Sequence, residues 1–157
     1  METTRHFTAS IYVVNDGAIA LHRHPSLDLW LPPGGHVARD ELPHQAALRE
    51  AVEESGLSVS LHQSATGPTS DTARPIPPPA HVMLEDINRY DDAVGHQHVD
   101  LIYYGTTESR AIDPLGEDEV GAHRWEWVDV ETLASADRFD ADVVALGHAA
   151  IDAVTEA

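Results

Sequence analysis

The 157-residue sequence contains no cysteine and no lysine, so arginine supplies all nine of its Lys/Arg positions. Without cysteine, disulfides and thiolate metal sites are excluded. Nine arginines face 27 acidic residues, for a formal net charge of −18. That balance excludes the broad cationic face a duplex nucleic-acid binder needs. Long apolar runs are missing too: none approaches the roughly 18–20 residues that span a bilayer. The opening METTRHFTASIYVV lacks the charged, apolar and small-residue segments of a secretory signal. The expectation is a cytoplasmic protein with no membrane partner. A high-salt cytosol, which screens such self-repulsion, would explain the acidity, and a GC-rich genome the arginine bias. With 42% apolar residues, the length fits one domain over residues 1–157 with one core.

Turn chemistry and periodicity divide the chain. Residues 7–14 and 18–23 are β-rich runs around Asn15-Asp16-Gly17, a hairpin signal because these residues tolerate positive φ. A turn-rich stretch leads through Trp30-Leu31-Pro32-Pro33 to Gly34-Gly35. Residues 43–55 read as a helix with Pro43 in its first turn and Gly56 just past its end. Residues 57–61 alternate like a strand, and 62–80, ending in PIPPPA, read as a loop. Two strands are expected at 81–87 and 97–106, joined by the polar stretch NRYDDAVGH. An acidic loop at 108–121 precedes a strand at 125–128. Asp129 is placed to cap a short helix through Leu133, and 140–154 has helical periodicity. The order β-β-α-β-β-β-β-α predicts an α/β (α+β) sandwich: a mixed sheet with helices packed on it.

Within the first helix, Glu50, Glu53 and Glu54 fall inside five residues. At about 100° per residue they share an arc of about 100°. The same wheel sets Leu48, Ala51 and Val52 opposite, while Ala46 and Ala47 extend the acidic face with little bulk, leaving room for a ligand. A solvated surface would tolerate this at a few tenths of a kcal/mol per like-charged pair. Three convergent carboxylates equally suit a hard divalent cation such as Mg²⁺, which takes oxygen ligands and keeps exchangeable waters. Spacing alone leaves both open.

The flanking residues add a pattern. From Gly35 the chain runs five residues to Glu41, seven more to Arg49-Glu50, then Glu53-Glu54, Ser55 and Gly56-Leu57. This resembles the Nudix box, G-x5-E-x7-R-E-U-x-E-E-x-G-U with U aliphatic, at all seven fixed identities. Ala51 is smaller than the usual aliphatic residue, and Leu42 stands where a capping Ser or Thr is common, so Asp40 or Glu41 is the expected cap. The resemblance implies a Nudix-like α/β/α sandwich that hydrolyses a diphosphate bond in a nucleoside diphosphate linked to another group. It implies Mg²⁺, or Mn²⁺, on Glu50, Glu53, Glu54 and the Gly34 carbonyl, with Gly35 close to substrate phosphate. Arg49 and Glu41 match positions that orient the ligands, with Glu41 and Glu53 as partners of Arg49. Glu53 or Glu54 is the expected general base, and Glu85 and Asp100 are the candidates outside the box.

Substrate choice is less legible. Among small-molecule nucleotides, compact size resembles the nucleoside-triphosphate group, including enzymes for oxidised nucleotides. ADP-ribose or nucleotide-sugar hydrolysis and a non-catalytic nucleotide-binding module are the alternatives, and a homodimer is compatible with all three. Arg23, flanked by His22 and His24, could reach a phosphate. His96, His98 and Asp100 alternate onto one strand face; with no cysteine and a hard-metal site elsewhere, a pocket wall or hydrogen-bonded surface is expected there in preference to a second, zinc-like site. Trp125 and Trp127 read as packing residues, and Tyr103 and Tyr104 point to opposite faces.

Overall fold

A computed structural model describes residues 2–157. β1 (Thr4–Asn15) turns through Asp16 (φ 45°) and Gly17 (φ 76°) into β2 (Ala18–Arg23), as the Asn-Asp-Gly signal requires. Two short strands follow that the sequence did not announce, β3 (Trp30–Leu31) against β2 and β4 (Gly34–His36) against β1. Then come α1 (Pro43–Ser55), β5 (Ser60–Leu61), β6 (His81–Tyr90), β7 (Ala93–Thr106), β8 (Trp125–Asp129), α2 (Val130–Ser135) and α3 (Ala141–Glu156). The sheet order is β3-β2-β1-β7-β5, with β4 beside β1, β6 beside β7 and β8 beside β2. β1 and β7 run parallel and the other pairs antiparallel, so the sheet is mixed.

β1 explains the layering. Ala9, Ile11 and Val13 point to one face, where they pack with Ala46, Ala47 and Ala51 of α1, Leu57 and Tyr103. Tyr12 and Val14 point to the other, where Val143, Leu146 and Ile151 of α3 and Leu133 of α2 cover them. Helices therefore lie on both faces of one sheet, the expected α/β/α sandwich.

Some expectations need correction. The stretch 88–96 is mostly strand: β6 and β7 form a long hairpin that turns at Asp91 (φ 49°), irregular between Asp86 and Arg89. Cross-strand hydrogen bonding overrides the low β-propensity of Asn, Asp and Gly. In 57–61, only Ser60–Leu61 pairs, with β7. Neither Asp40 nor Glu41 caps α1; its first residue follows Leu42, whose N–H donates to Gln45 Oε1 at 2.8 Å. Asp129 does cap α2, accepting from the Thr132 N–H. The face of α1 was also misjudged. Ala46 and Ala47 are fully buried against the sheet and leave no ligand space, while Val52 is 39% exposed. A stripe of small alanines lets the helix sit close to the strands, and that closeness turns Glu50 and Glu54 inward.

Candidate active site

The carboxylates of α1 are not equivalent. Side-chain exposure is 16% for Glu50, 15% for Glu54 and 45% for Glu53. Glu50 and Glu54, one turn apart, flank the buried alanine stripe, whereas Glu53 lies on the solvent side. Gly56 (φ 72°) stops the helix in the left-handed conformation, its N–H bonding to Val52 O at 2.8 Å.

β1 bonds β4 through residues 8–10 and β2 through residues 14–15, so β2 diverges from it where β4 inserts. Glu54 occupies that divergence. The Gly34 N–H donates to Glu54 Oε1 at 3.3 Å, and His22 Nε2 of β2 lies 3.3 Å from Glu54 Oε2. Gly35 packs so closely on Glu50 that a Cβ there would collide with the carboxylate.

Arg49 organises the cluster. Its Nε and Nη2 donate to both oxygens of Glu41, at 3.0 and 2.7 Å. Nη1 reaches Glu50 Oε1 at 2.9 Å and Glu53 Oε2 at 3.2 Å, and Nη2 also donates to the His36 carbonyl. The bidentate contact holds the Glu41 carboxyl below the usual carboxylate range. Glu50 moves the other way. Burial and its hydrogen bond with Glu54 outweigh Arg49 and push it up to about 7. One arginine does not compensate so many close carboxylates, and a divalent cation on Glu50, Glu53 and Glu54 would meet the remaining charge. Glu54 is bonded by the Gly34 N–H and Glu50 lies against Gly35, whose missing Cβ leaves room for its carboxylate, so this donor set fits a hard metal.

Beside Glu54 lies a cavity of about 380 Å³, walled by Thr8, Ser10 and Tyr12 of β1, His22 and His24, the Leu31–His36 segment, and Asp142, Val143 and Leu146 of α3. That volume suits one nucleoside-sized ligand. Its far wall holds a second acidic group. Asp100, 4% exposed, accepts from Thr8 Oγ1 at 3.0 Å and from Ser10 Oγ at 2.9 and 3.0 Å. Glu85 of β6 is pushed up to about 7 by burial and then by Asp100 and Asp142. The same burial and charges hold the Tyr12 hydroxyl well above its usual range. No arginine lines the cavity among the described residues.

Of the residues singled out in the sequence, Glu54, Gly34, Gly35, Glu85 and Asp100 meet at this cavity. Arg23 does not. It bonds Asp28 at 2.6 Å on the outside, and its neighbours His22 and His24 form the wall instead. Tyr103 and Tyr104 do lie in opposite cores, and Tyr12 rather than either lines the cavity. Trp125 packs on the His22 ring at 4.8 Å, and Trp127 joins the α1-side core.

Glu119 is a residue that sequence reasoning missed. The 113–115 backbone is tied to the end of α1, Asp113 N–H to Ser55 O at 2.8 Å and Leu115 N–H to Glu53 O at 3.0 Å. This brings the acidic loop over the box, where burial and then the charges of Glu54 and Glu53 raise the Glu119 carboxyl. Nothing in its local spacing signals this, because the approach depends on backbone bonds across 60 residues.

A sandwich with a carboxylate-bearing helix beside a nucleoside-sized cavity defines a class of metal-dependent hydrolase folds. The NUDIX domain family model matches residues 4–146, and the chain belongs to the Nudix family of pyrophosphohydrolases. A Nudix hydrolase from Clostridium perfringens shares 30% identity over 96% of this chain and 99% of its own, with a TM-score of 0.78. A MutT mutator protein from Bacillus halodurans, at 17% identity, TM-score 0.58, and coverage of 90% and 79%, shows the fold alone. The m7GpppN-mRNA hydrolase NUDT17 of Danio rerio is 54% identical over 33 residues, 21% of this chain and 11% of that protein.

Proposed function

We propose that this pyrophosphohydrolase acts on a nucleoside triphosphate, with Mg²⁺ held by Glu50, Glu53 and Glu54 and by the Gly34 carbonyl. The observation that carries this is a nucleoside-sized cavity with no arginine in its wall among the described residues, reaching the carboxylates of α1 at Glu54. The phosphates of a strongly anionic substrate need cations, and Arg23 and Arg49 are already engaged with Asp28 and with Glu41, Glu50 and Glu53. Bound there, the divalent ion would neutralise pyrophosphate oxygens and acidify a water.

The chain's own groups supply the rest. Arg49 fixes Glu41, Glu50 and Glu53 in register, and the Gly34 N–H and His22 orient Glu54. Glu54 is our preferred general base, being 15% exposed at the cavity edge, with Oε1 accepting from the Gly34 N–H and Oε2 3.3 Å from His22 Nε2. Glu53 and Glu119 are the nearest alternatives. At the far wall, Asp100 and Glu85 favour a base edge with N–H and amino donors, and the apolar Leu31, Ile102, Val143 and Leu146 favour its rings.

Nucleotide-sugar or ADP-ribose hydrolysis is the second reading, because the same carboxylates would serve it and the cavity is open enough for a second moiety to extend outward. The decisive measurement is product release from a panel of purine and pyrimidine triphosphates, including oxidised bases, ADP-ribose, nucleotide sugars and capped dinucleotides, with Mg²⁺ or Mn²⁺. Turnover of a nucleoside triphosphate to monophosphate and pyrophosphate in preference to the other substrates supports the proposal. Turnover confined to ADP-ribose or a sugar nucleotide overturns it. Nucleotide binding without turnover would identify a sensing module.

A further inference from the structure

Four histidines from three strands meet beside the cavity, His36 and His98 in its wall, and none of them is a fixed position of the box. His6 (β1), His36 (β4), His96 and His98 (β7) form a closed ring of contacts. Ring centroids are 4.6 Å apart for His6–His96, 5.2 Å for His6–His36, and 5.1 Å for both His36–His98 and His96–His98. Ring nitrogens of His6, His96 and His98 lie within 4.8 Å of one another, and His6 Nδ1 is 3.3 Å from His36 Nε2. We propose that His6, His96 and His98, completed by His36, form a binding site for a borderline divalent transition metal, Zn²⁺ foremost, distinct from the carboxylate site on α1.

The register of the sheet builds the cluster. His6 and His98 are direct partners across the parallel β1–β7 ladder, His96 is two residues before His98 on the same face, and His36 sits beside Thr8 in the β1–β4 pair. Metal–nitrogen bonds of about 2.0–2.1 Å in a tetrahedron set neighbouring nitrogens about 3.3 Å apart, so rotations of partly exposed rings by about 1 Å close the site. One ligand is already oriented. Thr4 Oγ1 donates to the Gly95 carbonyl at 3.3 Å and lies 2.8 Å from His96 Nδ1. When the hydroxyl proton goes to Gly95, the hydroxyl accepts Nδ1–H and leaves the His96 Nε2 lone pair free, the second-sphere arrangement typical of metal-ligating imidazoles.

Ligand chemistry separates the two sites. Imidazole prefers Zn²⁺, Ni²⁺, Co²⁺ or Cu²⁺, whereas an all-carboxylate site suits Mg²⁺ and Mn²⁺. The positions are nonetheless mechanically linked, since the His36 carbonyl accepts from Arg49 Nη2 at 3.1 Å. An ion on the His36 ring would fasten β4, which carries Gly34 and Gly35, to the β1–β7 ladder.

The test is calorimetric titration of the full chain with Zn²⁺ in saturating Mg²⁺, paired with Co²⁺ titration read by visible absorption. One Zn²⁺ per chain, tetrahedral Co²⁺ bands and a rise in melting temperature with Zn²⁺ are expected. His96→Ala combined with His98→Ala should weaken Zn²⁺ about a hundredfold or more and abolish the bands, and Thr4→Val should weaken it about tenfold. Glu53→Gln with Glu54→Gln should leave Zn²⁺ binding intact. Absence of Zn²⁺ uptake in Mg²⁺, or uptake that survives loss of the histidines and vanishes with the glutamates, overturns the site. Should the histidine variant unfold, imidazole ¹⁵N shifts of the wild-type chain on Zn²⁺ addition decide: shifts at these four rings support the site, and unmoved rings reject it.

Discussion

Two acidic clusters meet at the same cavity, one reaching it through Glu54 and the other lining its far wall, and they differ in whether an arginine holds them. Glu50 and Glu53 on α1 and Glu41 just before it share one arginine, which gives the group a fixed geometry and partial charge balance. Across the cavity, no arginine among the described residues lines the wall of Glu85, Asp100 and Asp142, and Asp100 is held by the hydroxyls of Thr8 and Ser10. The first arrangement fixes the carboxylates so that they converge, as a cation site requires, although burial and the Glu54 hydrogen bond still push Glu50 up to about 7. The second makes a negative charge expensive, so a proton stays on Glu85 up to about pH 7 and that wall offers both a donor and acceptors. One cluster is suited to chemistry on phosphate and the other to reading a base.

The largest expected effect tests this division directly. Glu54→Gln should lower kcat by about two to four orders of magnitude while leaving the melting temperature unchanged, because only charge and basicity are lost. Glu85→Gln should change kcat by less than about tenfold and act on KM and nucleotide preference instead. Steady-state kinetics on the preferred triphosphate distinguishes them. A reversed pattern, with Glu85 controlling kcat, would put the general base on the strand wall and dissolve the comparison.

The two clusters also differ in how far the sequence revealed them. On a helix, residues at i, i+3 and i+4 share a face, so Glu50, Glu53 and Glu54 were adjacent on a wheel before any fold was known. The wheel placed Ala51 and Leu48 on the buried side but misassigned Ala46 and Ala47: these carry almost no hydropathy signal, yet with Ala51 they are what brings α1 down onto β1. The strand wall is assembled from residues 85, 100 and 142 on three elements, and only the β6–β7 register and the packing of α3 unite them. That register was hidden because Asn88 to His96 reads as loop, and the long hairpin exists through hydrogen bonds to its neighbour rather than through propensity. Glu119 was hidden for the same reason, its position depending on bonds from loop backbone to the end of α1. Local spacing made one half of the site legible; non-local pairing made the other.

A second prediction concerns the balance on α1. Arg49→Ala leaves Glu41, Glu50 and Glu53 without their shared cation. The cost should be about 2 kcal/mol, below the 3–5 of a fully buried pair because Arg49 is 37% exposed. Thermal unfolding should show a lower melting temperature at neutral pH, and saturating Mg²⁺ should return much of the difference by neutralising the same carboxylates. Arg49→Lys should restore charge but little geometry, since an ammonium cannot make the bidentate contact to Glu41 while reaching Glu50 and Glu53. A loss that Mg²⁺ leaves untouched would mean that Arg49 holds backbone, through the His36 carbonyl, and not charge.

The smallest effect concerns the uncompensated wall and appears only against pH. The folded state keeps a proton on Glu85 up to about 7, whereas the unfolded chain releases it near 4.5. Between those values the folded form binds more protons, so its stability falls as pH rises from about 4.5 to 7 and levels off above. The groups facing Glu85, Asp100 on β7 and Asp142 on α3, are acidic and oppose its ionisation. Glu85→Gln removes the titration. Its stability should match the parent near pH 4.5 and exceed it by about 1 kcal/mol above pH 7, the full linkage being reduced by the solvent that reaches this side chain. Denaturant unfolding at both pH values measures the difference. Parallel profiles for the two proteins would mean that Glu85 ionises freely, and the wall would then be an all-anionic surface unsuited to a purine edge.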